Sequence, residues 1–447
     1  MTLLTRISSR SMTQDLSVNL SQQAAIGKEL YDFAAELYPI CRSITGDGSR
    51  VTLRSIQKRI PLEIVEVASG TQVLDWSVPK EWNIRDAYIK DASGQRVVDF
   101  KKSNLHVLNY SVPIHTKLPL AELKKHFHTI PGQPDLIPYR TSYYKEDWGF
   151  CLSHSQAEAL AEDEYEVFID ASLAEGHLSY GECYLQGTLE EEVLISCHVC
   201  HPSLANDNLS GITVATRLAQ LVAQTKRRYS YRFLFIPGTV GAITWLAHNQ
   251  GSASRIKYGL VLTCIGDRAS FHYKKSRRED AEIDRIAQLV LKEFDASSVA
   301  LPFSPYGYDE RQYCSPGFNL PVGCLMRSVW GTFPEYHTSG DNMDFIDATS
   351  LAQSFSVCAS IFDVIENNRR FKNLVPFGEP QLGRRGLYPS TSGLAPEKEL
   401  HARLWTLNLS DGNHSLLDIA ERSGLPFASI QRAAELLSQN AILAPVD

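Results

Sequence analysis

The sequence predicts an α/β fold: a mostly parallel sheet flanked by helices, with a small β-rich inserted domain and a C-terminal helix-turn-helix unit. Three observations carry this. From about Glu166, continuous apolar runs (VLISCH, YRFLFIPG, GLVLTCIG, PVGCLMR) alternate with amphipathic segments, the texture of a parallel sheet covered on both faces. Between 61 and 141 that texture gives way to short β-rich runs (LEIVEV, VVDF, HVLNYSVPI) punctuated by Pro and Gly. Beyond a Pro/Gly/Ser-rich stretch at 378–396, SLLDIAERSG and LPFASIQRAAELL read as two amphipathic helices about a Gly424 turn.

Taken in order, residues 1–19 hold Arg6 and Arg10 with no acid before Asp15 and are expected as a disordered tail. Leu20, Ile26, Leu30, Phe33 and Leu37 recur at helical spacing. Thr45 to Ser49 reads as a loop, and a short helix is expected near Leu120 to His126. EVFIDASL reads as the first strand of the β/α region, followed by a hairpin from Gly176 to Gly187. A helix carrying Ile212, Ala215, Leu218, Ala219 and Val222 on one face follows VLISCH. Further helices are expected at Val240 to Asn249, Asp284 to Phe294 and Asp347 to Asn367. The domains expected are therefore a discontinuous core (20–60 and 142–377), the insertion (61–141), a linker (378–396) and the helical unit (397–447).

Lys and Arg number 44 against 51 Asp and Glu, a net charge of −7. A chain-wide surface for nucleic acid or anionic membrane would need basic excess. No apolar run approaches the ~18–20 residues of a membrane span. The nine cysteines are an odd number without disulfide-framework spacing, which points to a reducing, cytoplasmic compartment. Cys197 and Cys200 form a C-x-x-C with no second pair to complete a zinc ribbon.

Chemistry concentrates in SCHVCHPSLANDNLSG, Ser196 to Gly211. His198 ends a buried strand, the edge where ligands bind in open α/β sheets. Asp207 lies in an Asn-Asp-Asn turn opening the next helix, which Ser210 is placed to cap. An imidazole and a carboxylate brought together there suit a divalent metal. A second signal, PEYHTSGDN, offers His337, with Asp341 placed to orient it. LTCIGD puts Asp267 just past a buried strand. YGYDERQYCSPG groups Asp309, Glu310 and Arg311.

The order strand–His, Asn-Asp-Asn-x-Ser-Gly, helix, then Tyr-His-Thr-x-x-Asp resembles the co-catalytic zinc aminopeptidases, whose relatives include glutaminyl cyclases. With the β-rich insertion and the tail, the whole is similar to bacterial aminopeptidase-like domain proteins with a C-terminal winged helix. The resemblance implies a zinc-aminopeptidase-like sheet and one or two zinc ions held by His198, Asp207 and His337. It also implies a carboxylate ligand after the third strand, for which Asp267 is the candidate. Two departures stand out. Cys200 replaces an Asp two residues after the first His. Gly238 and Thr239 replace a Glu-Glu pair whose first member is the family's general base and whose second is a zinc ligand. His201 is a candidate to restore the lost coordination, and Glu335 or Glu310 to restore the base. Tyr306, Tyr308 and Tyr336 are expected to line the pocket or stabilise an oxyanion, and Asp309 and Arg311 to bind substrate, Asp309 through an α-ammonium.

The function expected is a metal-dependent, aminopeptidase-like hydrolase acting on a small amide or short peptide, within a biosynthetic pathway. One alternative is a peptidase-fold binding or scaffold protein that has lost hydrolysis. The other is a transcriptional regulator sensing a small molecule. Residues 397–447 carry four basic against seven acidic residues. Arg432 is the only Lys or Arg on the candidate recognition helix, Phe427 to Gln439. That balance argues for a protein partner rather than DNA. The sequence leaves the oligomeric state open.

Overall fold

In the computed structural model, which describes residues 20–388 and 397–446, the apolar runs pair into one eight-stranded sheet. Its strands are β1 (Glu63–Ala68), β2 (His177–Leu185), β3 (Glu192–His198), β4 (Ser230–Ile236), β5 (Ile256–Leu262), β6 (His272–Lys274), β7 (Val299–Leu301) and β8 (Val322–Met326). The spatial order is β1-β2-β4-β3-β5-β8-β6-β7. Strands β4, β3, β5 and β8 run parallel. Every residue of β3, β4 and β8 is buried, which is why these segments read as unbroken apolar runs. Antiparallel pairings at β1–β2, β2–β4 and β6–β8 make the sheet mixed toward its edges.

The helices of this region are α1 (Leu20–Leu37), α2 (Asp47–Gln57), α3 (Gly211–Gln224), α4 (Val240–His248), α5 (Glu282–Phe294) and α6 (Ala348–Asn367). The loop expected at Thr45 to Ser49 is in part the first turn of α2. Gly46 takes φ 93° just before it, and Asp47 sits at the positive end of the helix. Helix α6 is long and apolar enough to cross a membrane, but 78% of its apolar window is buried in the protein. It is a core helix.

The insertion is a four-stranded antiparallel sheet, in the order Arg96–Asp99, Glu81–Lys90, Glu164–Ala174, Ile114–Pro119. This differs from the expected limits of 61 and 141. LEIVEV is β1 of the main sheet, and EVFIDASL closes the inserted sheet instead of opening the β/α region. Both strands alternate or half-alternate in burial, and alternation reveals a strand without revealing its partner.

The described residues fall into two compact units, one over 20–285 and 297–358, the other over 286–296, 359–388 and 397–446. The second contains a three-stranded sheet, Asp411–Ser415, Arg370–Asn373 and Leu443–Pro445. Its helices are α7 (Glu397–Leu409), α8 (Leu416–Ser423) and α9 (Phe427–Gln439). This is a winged helix-turn-helix. Ser415 and Asp418 form a capping box on α8, and Gly424 closes it with φ 68°. The domain takes up its first strand at Arg370, ahead of the expected start at 397. The expected linker is not uniformly solvated, since Leu382 and Leu387 are buried. Residues 389–396 of that linker, and the tail expected at 1–19, lie outside the described residues.

Candidate metal centre and cleft

Strand β3 lies between β4 and β5, both later in the chain. The chain leaves β3 toward β4 and leaves β5 toward β6 on the opposite side, so a crevice opens beyond the carboxyl ends of β3 and β5. His198 is the last residue of that strand. Asp207 follows in the turn Ala205–Ser210, held by hydrogen bonds on every side. The Asp341 carboxylate accepts the N–H groups of Asn206 (2.6 Å) and Asp207 (2.9 Å). The Asn206 side chain donates to Asp267 Oδ2 (2.7 Å) and accepts from Gly266 N (2.8 Å). Asn208 Oδ1, not the expected Ser210 hydroxyl, accepts from Gly211 at the start of α3.

Three imidazoles converge on Asp207. His198 Nε2 lies 2.7 Å from Oδ1, while His337 Nε2 lies 3.0 Å and His201 Nε2 3.9 Å from Oδ2. Tyr308 donates to Oδ2 at 2.6 Å, and its ring stacks on His198 at 4.4 Å. His337 is brought in by the inserted segment. Tyr139 N donates to the His337 carbonyl at 2.7 Å, Ser339 N donates to the Ile137 carbonyl, and Tyr139 packs edge-on against the His337 ring. These contacts hold His337 at φ 54°, a region rarely adopted by side-chain-bearing residues.

Burial alone would raise the Asp207 pKa. The imidazoles of His201 and His198, and the hydrogen bonds from His198 and His337, hold it well below the carboxylate range instead. Burial pushes His201 well below the ordinary histidine value, with the neighbouring imidazoles adding to the effect. A neutral imidazole keeps a lone pair for a metal. His198, His201 and Asp207 each offer a donor atom within 4.8 Å of the others. One ionised carboxylate amid imidazoles is a donor set that fits zinc.

The remaining expected residues divide. Tyr306, Tyr308 and Tyr336 line a cleft of about 360 Å³ beside His201 and His337. Asp267 does not join the imidazole cluster; its oxygens accept from Asn206, Ala269 and Ser328, so it braces the turn. Asp341 orients that same turn rather than His337. Glu310 is fully buried and tied to Lys274 Nζ at 2.8 Å, so it faces an ion pair instead of substrate. Glu335 and Arg311 do not line the cleft. Asp309 does not line it either, being completely buried, which removes it as a direct ammonium ligand.

The place of the family's Glu-Glu pair is filled in another way. Cys200 Sγ accepts the Gly238 N–H at 3.2 Å, and Asp309 Oδ1 accepts the Thr239 N–H at 3.0 Å. Asp309 Oδ2 is buried without a hydrogen-bond partner. Burial raises the Asp309 pKa to about 6, against the lowering influence of nearby His198. Sequence reasoning missed this, and it missed Tyr139, Arg140 and Tyr143 in the cleft wall. The tyrosine-rich stretch PYRTSYY was the available signal.

A family model described as a domain of unknown function, DUF4910, matches residues 31–368. The chain belongs to this family. A winged helix-turn-helix model matches 369–445 of this DUF4910 protein. A Clostridium acetobutylicum protein, provisionally named as a polysaccharide biosynthesis protein with aminopeptidase-like domain, is 50% identical over 432 residues, 96% of this chain and 99% of its own. A crystal structure from Clostridium acetobutylicum, provisionally described as a peptidase, superposes with a TM-score of 0.93 at 49% identity, covering 97% of this chain and 100% of that one. A zinc aminopeptidase from Bacillus subtilis superposes with a TM-score of 0.55 at 12% identity, covering 75% of this chain and 94% of that one. The fold of the DUF4910 region is thus that of the zinc aminopeptidases.

Proposed function

We propose that this chain is a cytoplasmic, zinc-dependent amide hydrolase of aminopeptidase type, acting on a small amide or short peptide within a biosynthetic pathway. The observation that carries the reading is the convergence of His198, His201 and His337 on Asp207 at the edge of a cleft. The aminopeptidase fold and the name borne by the Clostridium acetobutylicum relative support it.

His198, Asp207, His337 and His201 would hold the ion. A bound zinc supplies Lewis acidity and lowers the pKa of water. The Tyr308 phenol stays protonated, because burial and the Asp207 charge raise its pKa. It therefore serves as a donor at the centre of the site. Asp309, buried behind the cleft wall, accepts the Thr239 N–H and so fixes the backbone where the family's glutamate pair would stand. Tyr336 stacks on His337 at 4.0 Å and hydrogen-bonds to Tyr308 at 3.0 Å, fixing both. Arg432 is the only Lys or Arg on α9, the candidate recognition helix of the winged-helix domain, which supports a protein partner for it.

The test is metal analysis of the purified chain followed by assay with aminoacyl and acyl chromogenic amides. The expected result is bound zinc and chelator-sensitive turnover. A second reading, a binding or scaffold protein, is favoured by one observation: among the described residues, none lining the cleft is Asp or Glu. Bound zinc without turnover of any amide would establish that reading instead.

A further inference from the structure

An aminopeptidase must accommodate a free α-ammonium next to the scissile bond, and a carboxylate in the cleft is the usual way to neutralise one. Here the described lining residues include no Asp or Glu, and Arg140 is the only Lys or Arg among them. The Asp207 carboxylate is fully buried and already shared between His198, His337 and Tyr308. A divalent cation held by neutral imidazoles and this one carboxylate leaves the centre positive. Arg140 is exposed; its hydrogen bond is to the Tyr139 carbonyl at 3.1 Å, and among the described residues it has no carboxylate partner. With an ion bound, the charged groups that face the cleft would be cationic and would disfavour an ammonium there.

The walls add a second constraint. Tyr139, Tyr143, Tyr306, Tyr336 and Trp330 line the cleft. Their rings offer apolar faces edged by phenol and indole donors, which suits a ring with C–H faces and a hydroxyl rim. Tyr306, 71% exposed, stands at the mouth.

Building on the amide-hydrolase reading, we propose that the cleft selects an N-acylated amino sugar bearing an anionic group within reach of Arg140, and excludes amides that carry a free α-ammonium. The reaction is then deacylation. The oxygen of water bonds to the acyl carbon, the C–N bond breaks, and the nitrogen takes both water protons and leaves as an ammonium. The products are a carboxylate and a free amino sugar.

Calorimetric titration of the full chain, first metal-free and then zinc-loaded, tests this with four probes: N-acetylglucosamine 1-phosphate, neutral N-acetylglucosamine, glucosamine 1-phosphate and leucinamide. We expect the acetylated phosphate to bind about tenfold or more tightly than either ammonium-bearing probe. Arg140→Ala should weaken it about tenfold and leave neutral N-acetylglucosamine nearly unchanged. The arginine is exposed and bonded to one carbonyl, so the substitution does not threaten the fold. Leucinamide binding as tightly as the acetylated phosphate, no binding by any probe, or an Arg140→Ala variant with unchanged phosphate affinity would each overturn the proposal. The two readings fail separately. Zinc-dependent turnover of leucinamide would remove the substrate class and keep the hydrolase. Sugar binding to a chain that never takes up zinc would support the substrate class and remove the hydrolase.

Discussion

Asp309 illustrates how much a single side chain decides here. One oxygen is fixed by Thr239 N–H and the other has no partner, in a fully buried setting that raises the pKa to about 6. The fold favours the neutral carboxyl, so the stability this group contributes is present below the ordinary carboxylate pKa of about 4 and is lost as pH rises through about 6. Asp309→Asn, neutral and near-isosteric, should flatten that loss with zinc content unchanged, measured as denaturant unfolding against pH beside metal analysis. Lys274 makes a different kind of test. It is almost fully buried against Glu310, so Lys274→Met strands a buried carboxylate and should cost about 3–5 kcal/mol in denaturant unfolding. His198, Asp207 and His337 were legible because the motif places each at a strand edge, a helix-opening turn or a loop. The assignment of Glu310 as base failed because its partner, 36 residues away, belongs to no motif. Asp267 was misread for a similar reason: its three donors come from separate loops.

At the scale of elements, the site depends on how tightly α3 meets β5. A Cβ at Gly211 would lie 2.4 Å from Asn208 Oδ1 and 2.6 Å from the Leu262 carbonyl. Gly211→Ala should therefore push the Asn-Asp-Asn turn off the sheet, costing about 1–3 kcal/mol and weakening zinc binding at least tenfold; thermal unfolding and metal titration measure the two effects. The parallel strands were readable because burial on both faces leaves continuous apolar sequence. The partners of Glu63–Ala68 and Glu164–Ala174 were not, because pairing between distant strands is set by tertiary packing that alternation does not encode. The inserted segment that holds His337 through Tyr139 was likewise invisible, since its hydrogen bonds run backbone to backbone and leave no signature in residue type.

For the whole molecule, an acidic chain whose candidate recognition helix, α9, carries Arg432 as its only Lys or Arg should show no salt-dependent retention of duplex DNA in a shift assay at 50–200 mM salt; retention that falls steeply with salt would restore the regulator reading. Composition and motif order already pointed to the aminopeptidase-like fold and the winged helix, because both express themselves as local periodicity. The chemistry of the cleft emerges only when 133–143 and 334–339 come together in space. The hydrolase reading rests on one cation at Asp207. The direct measurement is zinc titration of the chelator-stripped chain and of its His198→Ala, Asp207→Ala and His337→Ala variants. The account predicts one zinc per native chain and at least a hundredfold weaker binding in each variant, whereas a native chain that takes up no zinc, or variants that bind it as the native chain does, would contradict it.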